Sequence, residues 1–115
     1  MSSKHEVSDC IADIIENIGR IERYLAGLSQ EVFDRDERTR DAVERCLERI
    51  CEAAHRLGSR GPAMMPDQPW PDIRGMGNHL RHGYDRVEVD IVWHTVQNRL
   101  PALKAAAQRA LAGLS

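Results

Sequence analysis

The sequence is poor in aromatic residues and contains no long apolar run. Phe, Trp and Tyr together make up only 4% of its 115 residues, so a core must be built mainly from aliphatic side chains. No stretch approaches the roughly 18 consecutive apolar residues that a membrane-spanning helix requires. The first residues also lack the apolar segment of a secretory leader. We therefore expect a cytoplasmic protein with no part in a membrane.

Cysteine is scarce, and its spacing does not suggest a metal or redox site. The three cysteines, Cys10, Cys46 and Cys51, are an odd number and form no C-x-x-C pair. Each falls in a segment with helical apolar spacing, where a thiol packs as a small hydrophobic group. We expect all three to be buried thiols in a reducing compartment.

Neither sign of charge dominates the composition. The chain has 16 Lys and Arg residues and 18 Asp and Glu residues, which gives a formal net charge of -2. No overall basic field would attract a nucleic acid, so any RNA contact must come from a local patch. The length suits one domain, residues 1–115, and the aliphatic, highly charged composition is typical of a helical bundle.

Apolar residues recur at spacings of three and four along two long segments, which predicts two amphipathic helices. The first is expected at about residues 6–28. The second is expected to end at Gly58, since glycine commonly terminates a helix. The apolar stripes are Val7, Ile11, Ile14, Ile15, Ile18, Ile21, Leu25 and Leu28, then Val43, Leu47, Ile50, Cys51, Ala54 and Leu57.

The connecting segments are short and polar. Residues 29–38 predict a single helical turn anchored by Phe33, and residues 59–68 predict a loop because they contain Gly61, Pro62 and Pro66 without apolar periodicity.

The last third of the chain is again helical by its spacing. A third helix is predicted at about residues 71–82, beginning at Pro71, and an apolar stripe then runs almost to the end. Pro101 predicts a kink or a new helix near Leu100. No strand-like alternation competes, so the fold class is all-α, an up-and-down bundle of four to five helices. The broad apolar stripes also suggest a homodimer.

Residues 70–84, WPDIRGMGNHLRHGY, form the most informative segment and are called the site segment below. They hold two histidines, two arginines, an asparagine and a tyrosine. In a helix, Arg74, Asn78 and His82 share one face because they are four residues apart, and Arg81 lies beside them. A cation, an amide and an imidazole would thus converge on one ligand.

Simpler roles account for other residues of this segment. Trp70, Met76 and the later Trp93 are expected in the core. His79 and His82 have a spacing that can chelate a metal, but no carboxylate or thiol is suitably placed to join them. We therefore predict neither a metal nor another cofactor.

The sequence resembles the HepT-like toxins, small helical proteins of the wider HEPN ribonuclease group. The likeness covers nearly the whole chain. It rests on Ile21-Glu22-Arg23-Tyr24-Leu25, Asp41-Ala42-Val43-Glu44-Arg45, Glu52-Ala53-Ala54, Trp70 with Ile73-x-Gly75-Met76, Asn78-x-Leu80-x-His82-x-Tyr84, and Val92-Trp93-x-Thr95-Val96-Gln97-Asn98-x-Leu100-Pro101.

The resemblance supplies a functional signature that this chain matches only in part. The signature is an arginine followed by a polar residue, then a histidine five residues after the arginine and a tyrosine two further on. His82, Tyr84 and Asn78 occupy three of these places, but Gly77 stands where the arginine is expected. By resemblance, Gly77 is thus a motif position that has been lost.

The resemblance implies a metal-independent endoribonuclease, the toxin of a type VII toxin–antitoxin pair. His82 would be the general acid/base, and Asn78 with Arg81 or Arg74 would contact the RNA phosphate. Arg74 is about 12 Å of helix rise from His82 and would act across a dimer interface. Arg81 is nearer along the chain but rotated by about 100°.

The resemblance also implies a regulatory partner and leaves one alternative open. In this family a minimal nucleotidyltransferase antitoxin attaches AMP to the tyrosine, which here points to Tyr84. If Gly77 has removed the essential cation, the chain is instead an inactive module that keeps the dimer and the antitoxin interface.

Overall fold

The computed structural model describes the backbone of residues 4–81 and 86–114 and the side chains of residues 5–76 and 89–114. Every regular element within these ranges is an α-helix, which confirms the all-α class. The helices are α1 (Lys4–Leu25), α2 (Gln30–Arg35), α3 (Glu37–Leu57), α4 (Arg60–Met64), α5 (Trp70–Arg81), α6 (Arg86–Asn98) and α7 (Leu100–Gly113).

Local capping explains where α1 ends and α2 begins. Gly27 takes a φ of +78°, in the left-handed region that ends a helix, so α1 stops at residue 25 rather than 28. Ser29 then caps α2, its side-chain oxygen accepting the Val32 N–H at 3.2 Å. Phe33 is fully buried, which confirms it as the anchor of this short helix.

The second long helix, α3, is capped at both ends. Asp36 accepts the Thr39 N–H at 3.1 Å and the Thr39 hydroxyl at 2.7 Å. These bonds hold the pKa of the Asp36 carboxyl below its ordinary value. At the other end Gly58 takes a φ of +56° and its N–H donates to Ala54 O at 3.2 Å, as predicted for a terminal glycine.

The core lies between α1 and α3, which pack along each other. α5 packs on α3, while α7 packs on α1 and also contacts α6. Each fully buried aliphatic side chain stabilises the fold by roughly 1.5–3 kcal/mol relative to exposure. The largest fully buried side chains are Phe33, Ile11, Ile14, Ile18, Ile21, Leu47, Ile50, Leu57, Leu103 and Val43.

The three cysteines are free and buried, as the sequence predicts. Burial raises the pKa of the Cys10 and Cys46 thiols, which keeps both protonated at neutral pH.

The predicted loop at residues 59–68 is wrong over five residues, because α4 occupies Arg60–Met64. The proline is compatible with this helix, since Pro62 lies in the first turn, where its missing N–H has no helical partner. Gly61 allows α4 to approach Trp70 closely: a Cβ at Gly61 would lie 2.9 Å from Trp70 Cη2. A helix this short leaves no apolar period in the sequence.

The break near Pro101 is confirmed. α6 ends at Asn98 and α7 begins at Leu100, so Pro101 is the second residue of a new helix. The described chain thus contains five helices of 12 residues or more, within the predicted number, and two short ones. Within the described ranges, no helix has the length and apolar character to cross a membrane.

Candidate active site

The helix α5 carries the first 12 residues of the site segment. It begins at Trp70, one residue before the predicted Pro71, and continues to Arg81. Gly77, Asn78 and Arg81 lie on this helix, as the sequence predicts, in a stretch where only the backbone is described.

The predictions for His82 and Tyr84 lie outside the described residues. The structure therefore neither brings His82 together with Asn78 and Arg81 nor separates it from them, and the roles assigned to these residues stay predictions.

The start of α5 is held by a buried tryptophan. Trp70 is 3% exposed, and its indole Nε1 donates to Met65 O at 2.9 Å. This bond satisfies the only polar atom of the side chain, so the indole can fill the space between α4 and α5 without an unpaired donor. The prediction of Trp70 as a core residue is confirmed.

An ion pair connects the first turn of α5 to the start of α7. Arg99 Nη1 lies 3.0 Å from Asp72 Oδ2, and about half of each side chain is exposed. Exposed pairs contribute little, typically less than about 1 kcal/mol, so this contact adds only modestly to the attachment of α5.

The helix α5 packs on α3, and its inner face carries Ile73 and Met76, which belong to the core and are 3% and 7% exposed. The 3.6-residue period places the Cα of Asn78 about 170° around the helix from the midpoint of these two residues. The backbone of Asn78 thus lies on the outer side of α5. This is the side on which a ligand could approach without displacing the core.

Arg74 is the one predicted site residue whose side chain is described. It is half-buried, and its Nη2 donates to Gly58 O at 2.7 Å, at the end of α3. Its own carbonyl accepts from Cys51 Sγ at 3.1 Å. The sequence reasoning missed both contacts. The available signal was that a cation is favoured near the C-terminus of a helix. Arg74 and Gly58 are 16 positions apart, however, and the sequence does not show that they meet.

One polar surface of the described chain carries balanced charges. A groove of about 320 Å³ opens between α1 and α3. It is lined by Asp13, Glu16, Asn17, Arg20, Arg49, Glu52 and Arg56. Three cations and three carboxylates balance here, so the groove has no net charge to attract an RNA backbone.

No group of three His, Cys, Asp or Glu side chains in the described part of the chain could hold a metal ion. This finding does not extend to His79 and His82, whose side chains are not described.

The family model described as "Ribonuclease HepT-like" matches residues 14–110. A probable ribonuclease HepT of Thermococcus cleftensis is 35% identical over 101 residues, which cover 88% of this chain and 92% of the relative. A putative RNase of Methanocaldococcus jannaschii is 28% identical over 102 residues, 89% of this chain and 94% of the relative. A putative RNase of Caldanaerobacter subterraneus is 36% identical over 84 residues, 73% of this chain and 74% of the relative. No solved structure matches at a significant level.

Proposed function

Because this chain belongs to the HepT-like ribonuclease family, we propose that it is the toxin of a prokaryotic type VII toxin–antitoxin pair and cleaves RNA without a metal ion. The observation that carries the proposal is the family match over residues 14–110, which includes the whole site segment. The matched relatives are themselves named as probable or putative ribonucleases.

The proposed reaction is attack of an RNA 2′-hydroxyl on the adjacent phosphate. His82 removes the proton from the 2′-hydroxyl as the bond from its oxygen to phosphorus forms. The bond from phosphorus to the 5′-oxygen then breaks, and that oxygen takes up a proton. Imidazole suits both transfers because its unperturbed pKa, about 6.5, lies near the working pH.

Negative charge that builds on the phosphoryl oxygens requires a fixed donor or cation. Asn78 supplies an amide, and Arg81 or Arg74 supplies the guanidinium, which stays charged and donates through a planar fork. Gly77 cannot perform this task in the place where the family has an arginine. Loss of one such electrostatic stabiliser typically lowers the rate by roughly 10²–10³.

Regulation is proposed at Tyr84. A minimal nucleotidyltransferase, the antitoxin, would transfer AMP from ATP to the phenol oxygen, so that an O–P bond forms and pyrophosphate leaves. The added phosphodiester places bulk and negative charge two residues from His82. It would fill the site and repel an RNA backbone.

We further propose that the protein is a homodimer in the cytoplasm. The cytoplasm holds both the RNA substrate and the ATP that the antitoxin needs. A dimer would allow residues of one copy, including Arg74, to contribute to the site of the other.

The second candidate function is a non-catalytic member of the same family. Gly77 favours it, because this helical position offers no side chain to a phosphate. Such a protein would keep the dimer and the antitoxin interface but would not cut RNA.

A three-way comparison tests the proposal: growth arrest and RNA cleavage by the natural chain, by Gly77→Arg and by His82→Ala. Activity in the natural chain that His82→Ala abolishes supports the ribonuclease with a substitute arginine. Activity gained only with Gly77→Arg supports a disabled ribonuclease. If folded Gly77→Arg protein neither arrests growth nor cleaves RNA, the ribonuclease proposal fails for this chain.

A further inference from the structure

Arg74 is attached to α3 at two points. Its guanidinium Nη2 donates to Gly58 O at 2.7 Å, and its main-chain carbonyl accepts from the Cys51 thiol at 3.1 Å. Cys51 and Gly58 are seven residues apart, about two turns along α3. Two bonds at separate heights on one helix restrict both the position and the rotation of the other helix. Arg74 thus holds α5 in a defined orientation on α3.

The guanidinium of Arg74 donates to a backbone carbonyl at the C-terminal end of α3. The last carbonyls of α3 lack helical N–H partners and carry the partial negative charge of the helix end. Arg60 also donates to carbonyls in the last turn of α3: its Nε donates to Leu57 O at 2.9 Å and its Nη2 to Arg56 O at 2.6 Å. The end of α3 is therefore covered by two arginines, of which Arg74 comes from α5.

The hydrogen bond of the Arg74 guanidinium to Gly58 O is not compatible with contact between the same group and an RNA phosphate. To reach a phosphate on the outer side of α5, Arg74 would have to leave Gly58 O. That movement would remove one of the two donors to this carbonyl, which also accepts the Gly61 N–H at 3.2 Å, and would release α5 from one of its two attachments. Asn78 and Arg81 follow Arg74 by four and seven residues on the same helix, so their positions depend on how α5 is held.

We propose that Arg74 is a positioning residue: together with Cys51 it fixes α5 on the end of α3 and thereby places Asn78 and Arg81, while the phosphate-contacting arginine is Arg81. The proposal rests on the RNA-cleaving function above. It assigns the phosphate contact to Arg81 rather than to Arg74, a choice that the sequence leaves open.

Two measurements on the same variants separate positioning from phosphate contact. Hydrogen exchange of the backbone amides of residues 70–76 reports the attachment of α5. The salt dependence of binding to a single-stranded RNA reports phosphate contacts, since each contact contributes about 0.7 to the slope of log affinity against log salt. The variants are Arg74→Ala, Arg74→Lys, Arg74→Gln and Arg81→Ala. Arg99→Ala is the matched control, because it removes an exposed cation that also touches α5.

For Arg74→Ala we expect roughly tenfold faster exchange in residues 70–76, an unchanged salt slope and slower cleavage at saturating RNA. Arg74→Lys, which can still donate to Gly58 O, should recover part of the protection and of the cleavage rate. Arg74→Gln keeps a donor without the charge and serves if the alanine variant does not fold. Arg81→Ala should lower the slope by about 0.7 without faster exchange. Arg99→Ala should change neither.

A lower salt slope for Arg74→Ala or Arg74→Gln with unchanged exchange would overturn the proposal, since Arg74 would then be a phosphate contact. Unchanged exchange in all three Arg74 variants would overturn it as well. If no variant, nor the natural chain, binds or cleaves RNA, the proposed function fails, but the exchange data still decide whether Arg74 anchors α5.

Discussion

The Trp70 indole lies directly against the backbone of Gly61. A Cβ added at Gly61 would stand 2.9 Å from Cη2 and 3.0 Å from Cζ3 of this ring. The ring has little freedom to move, because it is buried and its Nε1 donates to Met65 O at 2.9 Å. Contact between α4 and the first residue of α5 therefore depends on glycine at position 61.

Gly61→Ala should destabilise the protein by about 1–3 kcal/mol, since the indole or the backbone of α4 must shift. Gly75→Ala is the matched control, because a Cβ there meets no atom within 4 Å and alanine is favoured in a helix by up to about 1 kcal/mol. Chemical denaturation should thus move the two midpoints in opposite directions. Equal stabilisation by both substitutions would show that Trp70 does not require the glycine.

The N-cap of α3 predicts a pH dependence at the acid end. Hydrogen bonds from the Thr39 hydroxyl and N–H lower the pKa of Asp36 from its ordinary value of 3.8. A group whose pKa is lower in the folded state contributes stability that is present above the unfolded pKa and is lost as pH falls through the folded pKa. The contribution of Asp36 should therefore be lost progressively as the pH falls below about 3.8.

Asp36→Asn tests this relationship, since asparagine keeps a cap acceptor but does not titrate. Thermal unfolding of both proteins between neutral pH and pH 2 should show that the natural chain loses more of its melting temperature than the variant. A constant difference between the two proteins across this range would contradict the role given to Asp36.

The sequence predicts the long helices well and their contacts poorly. α1 and α3 follow from apolar spacing over about four to six turns, and Gly58 marks the end of α3 because glycine tolerates a φ of +56°. α4 has five residues and includes a glycine and a proline, so no period reveals it. Apolar periodicity identifies only helices that are long enough to contain several repeats of the spacing.

Contacts between distant residues are not contained in a local pattern. Phe33 and Trp93 pack with ring centroids 5.3 Å apart, although 60 positions separate them. Cys51 and Gly58 support α5 through Arg74, whose helical face alone suggested a ligand contact. The sequence predicts which residues of α5 share a face, but it does not predict which residues of other helices those faces contact.

A homodimer is expected from the function proposed above. Sedimentation equilibrium at tens of micromolar should give about twice the monomer mass of 13.0 kDa. The measurement at two salt concentrations separates an apolar interface from a charged one, because screening weakens only the latter. A single species of monomer mass at these concentrations would contradict the dimer.

Modification of Tyr84 is the most direct test of the proposed regulation. After incubation with the cognate nucleotidyltransferase and ATP, intact mass should increase by one adenylyl group, and Tyr84→Phe should show no increase. Tyr24 provides the matched control: its side chain is 40% exposed on α1, so Tyr24→Phe removes an accessible phenol at another place.

The adduct should persist in Tyr24→Phe and disappear in Tyr84→Phe, because the proposed enzyme recognises the end of the site segment rather than any exposed phenol. RNA binding by the modified protein should weaken, since the added phosphodiester repels the backbone. An adduct that survives Tyr84→Phe would place the modification elsewhere. A modified protein that binds and cleaves RNA as before would show that the adduct does not regulate this site.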